Sequence, residues 1–568
     1  MAPSATFDTR SGDHSNRLKI LVPEKVSPDG LALLTPHFDV DNRKGLSAAE
    51  LINVIPNYHG LIVRSETQVT SEVIQAGRKL RVVARAGVGV DNIDVPSAST
   101  RGVIVVNSPS GNILAAAEHT IALLLSTARN VGEADSSVKA GRWERSKLVG
   151  VEVGRKTLGI IGLGKVGMNV ARMAKGLGMT VQAVDPYASV DMARQAGVEL
   201  VPSLEDLLPV VDFLTIHTPL LATTLDLVGE AEFKKMKKTA RVLNVARGGV
   251  YNEEALIKAL DEGWIAGAGI DVWSSEPLVA DSAAARLSKH PKVVATPHLG
   301  ASTVEAQENV SLDVCKQVLE ILQGGLPTSA VNAPIIMPEE YRKLQPSVHL
   351  VEKMGHLYTQ HFVRNRGGKI GGRRFELIYH GDLASMPNTK PLFAALVKGL
   401  VSAFSDSHIN MVNAALIAKE KNIVISETRS GDSPSAYANL VTLRSHQTHS
   451  SSEQVIEGYA IDERVFISKL DRFNGVFTPE GTLIILHNYD EPGKIGGVGM
   501  VLGQHGINIK FMQVASLDPQ AIKGADTPPD PKGDEALMIL GVLGPVSDEV
   551  LDDLKSSDGV LNVGLVEL

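Results

Sequence analysis

Short aliphatic runs alternate with longer amphipathic ones along the first half of the chain, and nothing else in the sequence restricts the fold as strongly. "LKILV", "GLIVRS", "RVVARAG" and "VIVVN" read as strands, and segments such as "SAAELINVIP" and "SEVIQAGRK" between them read as helices. Strands that take turns with helices pair in parallel, with the helices crossing over the sheet faces. A second series starts at "KTLGIIGLGKVG" and runs through "TVQAVD", "DFLTIHTP", "ARVLNVARGG", "IAGAGIDVW" and "KVVATPHLG". Between the two lies "NILAAAEHTIALLLSTARN", too apolar for a surface helix and expected between layers. The fold class is α/β, built on two Rossmann-like or flavodoxin-like lobes.

At 568 residues the chain is too long for one core, so three or four domains are expected. "LPTSAVNAPIIMPEE" marks a boundary near residues 325 to 340, and a mixed α/β stretch follows to 478. Its "RNRGGKIGGRRF" reads as a solvated, basic loop. From 481 the order is strand, helix, two strands, helix, strand, the ferredoxin-like βαββαβ pattern, with "DPQAIKGADTPPDPKGDE" as a long polar loop in its middle. Residues 1–16 are polar and read as a disordered tail without an apolar signal core, and Asp8 and Asp13 argue against a mitochondrial leader.

Bulk charge narrows the partners. A net charge of −8 gives no case for nucleic acid or an anionic membrane surface. No apolar run approaches the ~18 residues that cross a bilayer. One cysteine, Cys315, excludes an intramolecular disulfide and a Cys-rich metal site; no metal is expected, and the cytoplasm is the expected compartment.

Gly162, Gly164 and Gly167 have G-x-G-x-x-G spacing after a strand and at the start of a helix, and Asp185 ends the next strand 18 residues past Gly167. Gly162 permits the tight turn, Gly164 lets a pyrophosphate reach the backbone, and Gly167 lets helix and strand pack. Asp185 suits a ribose hydroxyl pair and repels a 2′-phosphate, so the expected cofactor is NAD rather than NADP. Lys165, Val166, Thr218, Val245, Asp271 and Gly300 complete the expected cofactor contacts. Later strands end in Arg247, Glu276 and His298, and ligands in open α/β sheets bind outside the carboxyl ends of strands. Histidine suits the base that takes a hydroxyl proton as hydride leaves carbon, with Glu276 orienting it and Arg247 gripping a carboxylate. Gly248 and Gly249 are expected to leave room for substrate beside that guanidinium.

"GLGKVG", "NVARGG", "DVWSSEP" and "PHLGAST" together resemble the D-isomer-specific 2-hydroxyacid dehydrogenases. The C-terminal βαββαβ unit is similar to an ACT domain, and narrows the likeness to the long members that oxidise 3-phosphoglycerate to 3-phosphohydroxypyruvate. This resemblance implies Arg247, Glu276 and His298 as the catalytic set. It also implies a split substrate domain (17–110 and 304–334), an inserted NAD-binding domain (111–303), an intervening domain (335–478) and an ACT regulatory domain (479–568). Arg64, Arg85, Asn112 and Arg145 would face the substrate, Arg145 across a subunit interface, while His119 packs in its helix. L-serine is the implied effector, held at a dimer interface by Asp490, Gly493 and Asn508, and the implied assembly is a homo-oligomer, tetramer or dimer. The alternatives are a hydroxypyruvate or glyoxylate reductase of the same family, and a non-catalytic NAD-sensing scaffold.

Overall fold

The computed structural model describes residues 17–334, 336–365, 370–404, 408–431, 439–446, 453–517 and 535–568. The expected tail (1–16), most of the polar loop (518–534) and residues 366–369 of the basic loop lie outside them. Strands β1 (Lys19–Val22), β2 (Asp39–Asn42), β3 (Gly60–Val63), β4 (Val82–Arg85) and β5 (Ile104–Asn107) form a parallel sheet in the order β2-β1-β3-β4-β5. Every residue of β3 is buried, as a parallel strand covered on both faces requires. One face packs Ile20, Ile62 and Val82 against Val310, Val314 and Val318 of the helix Val304–Leu322. A helix that arrives some 200 residues after β5 thus closes the first lobe. Cys315 sits in that contact, and burial pushes its thiol up to about 12, which leaves it a small apolar filler.

The second sheet holds β6 (Thr157–Ile161), β7 (Thr180–Val184), β8 (Glu199–Leu200), β9 (Phe213–Ile216), β10 (Arg241–Asn244), β11 (Gly267–Ile270) and β12 (Val293–Ala295). Its order is β12-β11-β10-β9-β6-β7-β8, parallel throughout. The order reverses between β6 and β9, which opens a crevice at their carboxyl ends. The apolar helix Ile113–Arg129 lies against this sheet, burying Ala117, Leu123, Leu124 and Ala128 beside Leu158 and Ile160.

The remaining strands are β13 (Arg374–His380), β14 (Val424–Ser430), β15 (Leu440–His446), β16 (Gln454–Ile461), β17 (Arg464–Leu470), β18 (Phe473–Phe477), β19 (Thr482–Tyr489), β20 (Asn508–Leu517), β21 (Glu535–Leu543) and β22 (Val560–Glu567). They form one sheet, β14-β13-β15-β16-β17-β18-β20-β21-β19-β22. The last four strands, with helices Lys494–Gln504 and Asp548–Lys555, have the ferredoxin-like order 2-3-1-4. Short pairing of Phe473 with Leu517 and Asn474 with Ser516 carries the sheet unbroken across residue 478. The helix Pro338–Tyr358 continues as a π-helical segment, Thr359–Arg364, that lies along the edge of β22. There the Gln360 amide donates to the Glu567 carbonyl at 2.6 Å and accepts from its N–H at 2.9 Å, standing in for a neighbouring strand. Among the described residues no helix is long and apolar enough to cross a membrane.

Candidate active site

Arg247 follows β10 by three residues, and a buried asparagine sets the turn that carries it. Asn244 accepts from Ala246 N–H at 3.0 Å and donates to the Arg247 carbonyl at 2.8 Å. The two glycines behind it have structural reasons of their own, steric at Gly248 and conformational at Gly249, beside the expected room for substrate. A Cβ at Gly248 would stand 2.0 Å from the Trp273 carbonyl oxygen, and Gly249 has φ +83°. The guanidinium itself reaches toward the first lobe, 3.7 Å from Asp91.

His298 Nδ1 lies 2.6 Å from Glu276 Oε2, and Glu276 Oε1 accepts from Trp273 N–H at 2.9 Å. A carboxylate offers only lone pairs, so Nδ1 is the donor and Nε2 is left free to take a proton. Half-burial pushes the Glu276 carboxyl up, but the bonds from His298 and Trp273 outweigh it and hold it below its usual range. His298 has φ +56°, a left-handed backbone that a side-chain-bearing residue seldom adopts. Its N–H donates to the Asp271 carbonyl at 2.8 Å.

From the first lobe, β4 delivers Arg85 to the same region. Its guanidinium is largely buried, and its Nε has no hydrogen-bond partner among the described residues. Burial first, and then the Arg247 charge, pushes its pKa down, with Arg64 adding to the effect. The backbone passes close to both guanidinium groups: a Cβ at Gly87 would stand 2.5 Å from Arg85 Nη1 and one at Gly89 2.5 Å from Arg247 Nη2, so either would push the end of an arginine aside. Arg64 ends β3 on a loop clamped from both sides. The buried Glu24 carboxylate accepts from the N–H groups of Arg64, Glu66 and Thr67 at 2.8 to 3.2 Å, and Asn92 donates to the carbonyls of Arg64 and Thr67 at 2.8 and 2.7 Å. Neither Glu24 nor Asn92 carries a motif; only the fold reveals them.

A cavity of about 260 Å³ at the lobe junction gathers Asn112, Val166, Thr218, Val245, Arg247, His298 and Gly300, with His217 beside them. Burial pulls the His217 imidazole down to about 4, so it is neutral. The glycine loop fits a dinucleotide residue by residue. Gly162 has φ +90°, a Cβ at Gly167 would stand 2.3 Å from the Gly162 carbonyl, and Gly164 faces open space. Thr218 Oγ1 is buried without a partner among the described residues, a polar group that asks for a ligand. Asp185 accepts from Leu163 N–H at 2.7 Å and Tyr187 N–H at 2.8 Å, and Lys165 Nζ donates to Ser110 at 3.0 Å.

Asp271, Arg145 and the three expected effector residues stand apart from that cavity in one chain. Asp271 is fully buried and its carboxylate is occupied by protein donors, so it organises the site from behind. Arg145 is exposed on a short helical turn outside the cleft, beside Trp143, which is 84% exposed. Asp490 and Gly493 stand at one end of the final unit and Asn508 at the other. Tyr489 pairs with Glu535 and Asn508 with Leu543, opposite ends of β21, about 27 Å apart at roughly 3.4 Å per residue. One chain therefore does not bring the three together. Asn488, unremarked in the sequence, is buried two residues before Asp490, and its Oδ1 has no partner among the described residues.

Residues 121–300 match the family model described as D-isomer specific 2-hydroxyacid dehydrogenase, NAD binding domain, so this part of the chain is an NAD-binding domain. Residues 343–465 match the D-3-phosphoglycerate dehydrogenase intervening domain. The chain is 39% identical to D-3-phosphoglycerate dehydrogenase of Synechocystis sp., over 97% of its own length and 95% of that protein's. It is 44% identical to D-3-phosphoglycerate dehydrogenase 2, chloroplastic, of Arabidopsis thaliana, over 90% and 84%. Among solved structures, the TT0316 protein of Thermus thermophilus is similar with a TM-score of 0.51 at 32% identity, covering 55% of this chain and 100% of that one. D-lactate dehydrogenase of Aquifex aeolicus, complexed with NAD and lactic acid, shares the fold with a TM-score of 0.50 at 23% identity, over 56% and 99%. With relatives matched over nearly their whole length, and the intervening unit matched as well, the chain belongs to the D-3-phosphoglycerate dehydrogenase family of D-isomer-specific 2-hydroxyacid dehydrogenases.

Proposed function

We propose that this chain oxidises 3-phosphoglycerate to 3-phosphohydroxypyruvate with NAD, the first step of L-serine synthesis, at Arg247, Glu276 and His298. The observation that carries the reading is the meeting of Arg85, Arg247 and the Glu276–His298 pair where the two lobes face each other. A phosphorylated three-carbon acid carries up to three negative charges, and several guanidinium groups in one cleft match it.

The residues then divide the work. The Gly162–Gly167 loop, Asp185 and Thr218 would hold NAD, which when bound supplies the acceptor for the hydride leaving the carbinol carbon. His298 Nε2 takes the hydroxyl proton as the carbonyl forms, and the ionised Glu276 stabilises the resulting imidazolium at Nδ1. Arg247 grips the carboxylate and polarises the adjacent oxygen, while Arg85, Arg64 and Asn112 hold the remainder.

A homo-oligomer belongs to this reading. It is supported by the exposed Trp143 and Val149 beside Arg145, and by the distance between Asp490 and Asn508, which only two copies can close around one small ligand. L-serine is the proposed effector there, with the ACT-like unit as its receptor. A reducing cytoplasm is the proposed compartment, supported by the single thiol.

The test is NADH consumption with 3-phosphohydroxypyruvate against glyoxylate, with and without L-serine, in the wild type and in His298→Ala. Strong preference for the phosphorylated acid is expected, with turnover falling by a factor of about 10² or more in the variant. Equal use of glyoxylate would replace this reading with that of a general 2-oxoacid reductase. Indifference to L-serine would remove the effector.

A further inference from the structure

The helix Ile113–Arg129 carries one polar side chain that points at the catalytic loop yet takes no part in the chemistry above. His119 Nε2 lies 3.1 Å from Asp271 Oδ1 and 3.2 Å from Thr296 Oγ1. Asp271 is fully buried and its carboxyl is held below the usual range: burial pushes it up, and bonds from His119, Thr296 and Leu299 more than reverse that. An ionised carboxylate can only accept, so the His119 ring nitrogen is the donor. The same carboxylate accepts from Thr296 Oγ1 at 2.6 Å, Leu299 N–H at 2.7 Å and Gly300 N–H at 2.9 Å. Between Thr296 and Leu299 stands His298, in its left-handed conformation, with its own N–H on the Asp271 carbonyl.

We infer that His119 is a positioning residue for His298: through Asp271 it ties the helix at the first crossing between the lobes to the loop at the second, and fixes the imidazole against lobe movement. A left-handed backbone at a residue with a Cβ persists only where its surroundings hold it. Asp271 supplies that hold on both sides of His298, and among the described residues His119 is the one donor to its carboxylate that comes from outside the loop itself. Its helix follows the N-cap Asn112 and presents Ala116 to the cavity one turn before His119, so the link joins the cavity wall to the catalytic loop. Without His119 the carboxylate keeps only donors that move with the loop, and the helix keeps its apolar packing on the sheet but loses its polar link to that loop. A displacement of about 1 Å at a reacting group costs on the order of 10²-fold in rate.

This inference rests on the proposed reaction, and one of its readouts does not. His119→Gln places an amide nitrogen where Nε2 was; His119→Asn reaches only as far as Nδ1; His119→Ala removes the donor. Hydrogen exchange of the apoprotein in peptides spanning residues 296–303 reports the hold on Leu299 and Gly300. With NADH and 3-phosphohydroxypyruvate, kcat and the isotope effect from deuterated NADH report the hydride step, and NADH fluorescence reports cofactor affinity. Expected for Ala and Asn are faster exchange, kcat lower by about 10- to 100-fold, a larger isotope effect and NADH affinity within about threefold of wild type. The Gln variant is expected to return toward wild type in all of them. Wild-type exchange and kcat in His119→Ala would overturn the inference, as would equal behaviour of Asn and Gln, or faster exchange with kcat and isotope effect unchanged. A wild-type protein inactive on the phosphorylated substrate would sink the proposed reaction instead, leaving the exchange arm to decide the link.

Discussion

Glu276 and His298 lie 22 residues apart in sequence and share a 2.6 Å hydrogen bond, so the electrostatics of one are written on the other. The Glu276 carboxyl is held below its usual range, which fixes the sign of its effect on stability. A carboxyl with a lowered pKa in the folded state stabilises the fold above its unfolded value, about 4.3, and that contribution disappears as pH falls through the lower folded value. Glu276→Gln is therefore expected to lower the urea midpoint at pH 6.5, with the gap to wild type closing as pH falls below about 4. A gap that stays constant over that range would mean the charge is not its source. At this scale the sequence was partly legible. Arg247, Glu276 and His298 announce themselves as polar ends on apolar runs. Gly248 does not announce its reason, because the carbonyl of Trp273 that excludes a Cβ belongs to another strand end. Glu24 is equally silent, since its partners start 40 residues away.

Elements carry meaning through close approach, and the turn into the helix Lys165–Gly176 shows two glycines required for different reasons. Gly164 faces open space, where a methyl group would disturb nothing except a ligand; Gly167 sits against the Gly162 carbonyl, where a methyl has no room. Gly164→Ala is expected to melt near wild type and to lose NADH affinity by about tenfold or more. Gly167→Ala is expected to cost about 1–3 kcal/mol in a urea titration, by overpacking. Equal melting points for the two variants would contradict this division. The motif spacing alone specifies the turn, because the chemistry of pyrophosphate binding needs those positions in that order. The N-terminal half of the site followed less completely: Arg85 ends a strand as expected, but its neighbourhood with Arg247 depends on how two sheets face each other.

Across the whole molecule, the final βαββαβ unit does not hang free. It shares a sheet with the strands before it, and the π-helical segment after Pro338–Tyr358 grips its last strand through Gln360. Gln360→Ala removes two hydrogen bonds on an exposed edge, worth about 0.5–1.5 kcal/mol each. Hydrogen exchange in peptides covering 560–568 is expected to accelerate, with turnover within about twofold of wild type. Unchanged exchange would show that the amide is not the grip. By itself the sequence determined the α/β class, the two parallel series, the βαββαβ ending, the glycine turn of the NAD-binding domain and the candidate catalytic side chains. Each of these depends on local periodicity, or on the spacing of a few residues within one strand–turn–helix unit. Only the tertiary structure decided which glycines serve packing, what clamps the Arg64 loop, why His298 holds a left-handed backbone, and that Asn508 stands far from Asp490 in one chain. Those outcomes arise from contacts between segments tens to hundreds of residues apart, and no local pattern encodes the distance between them.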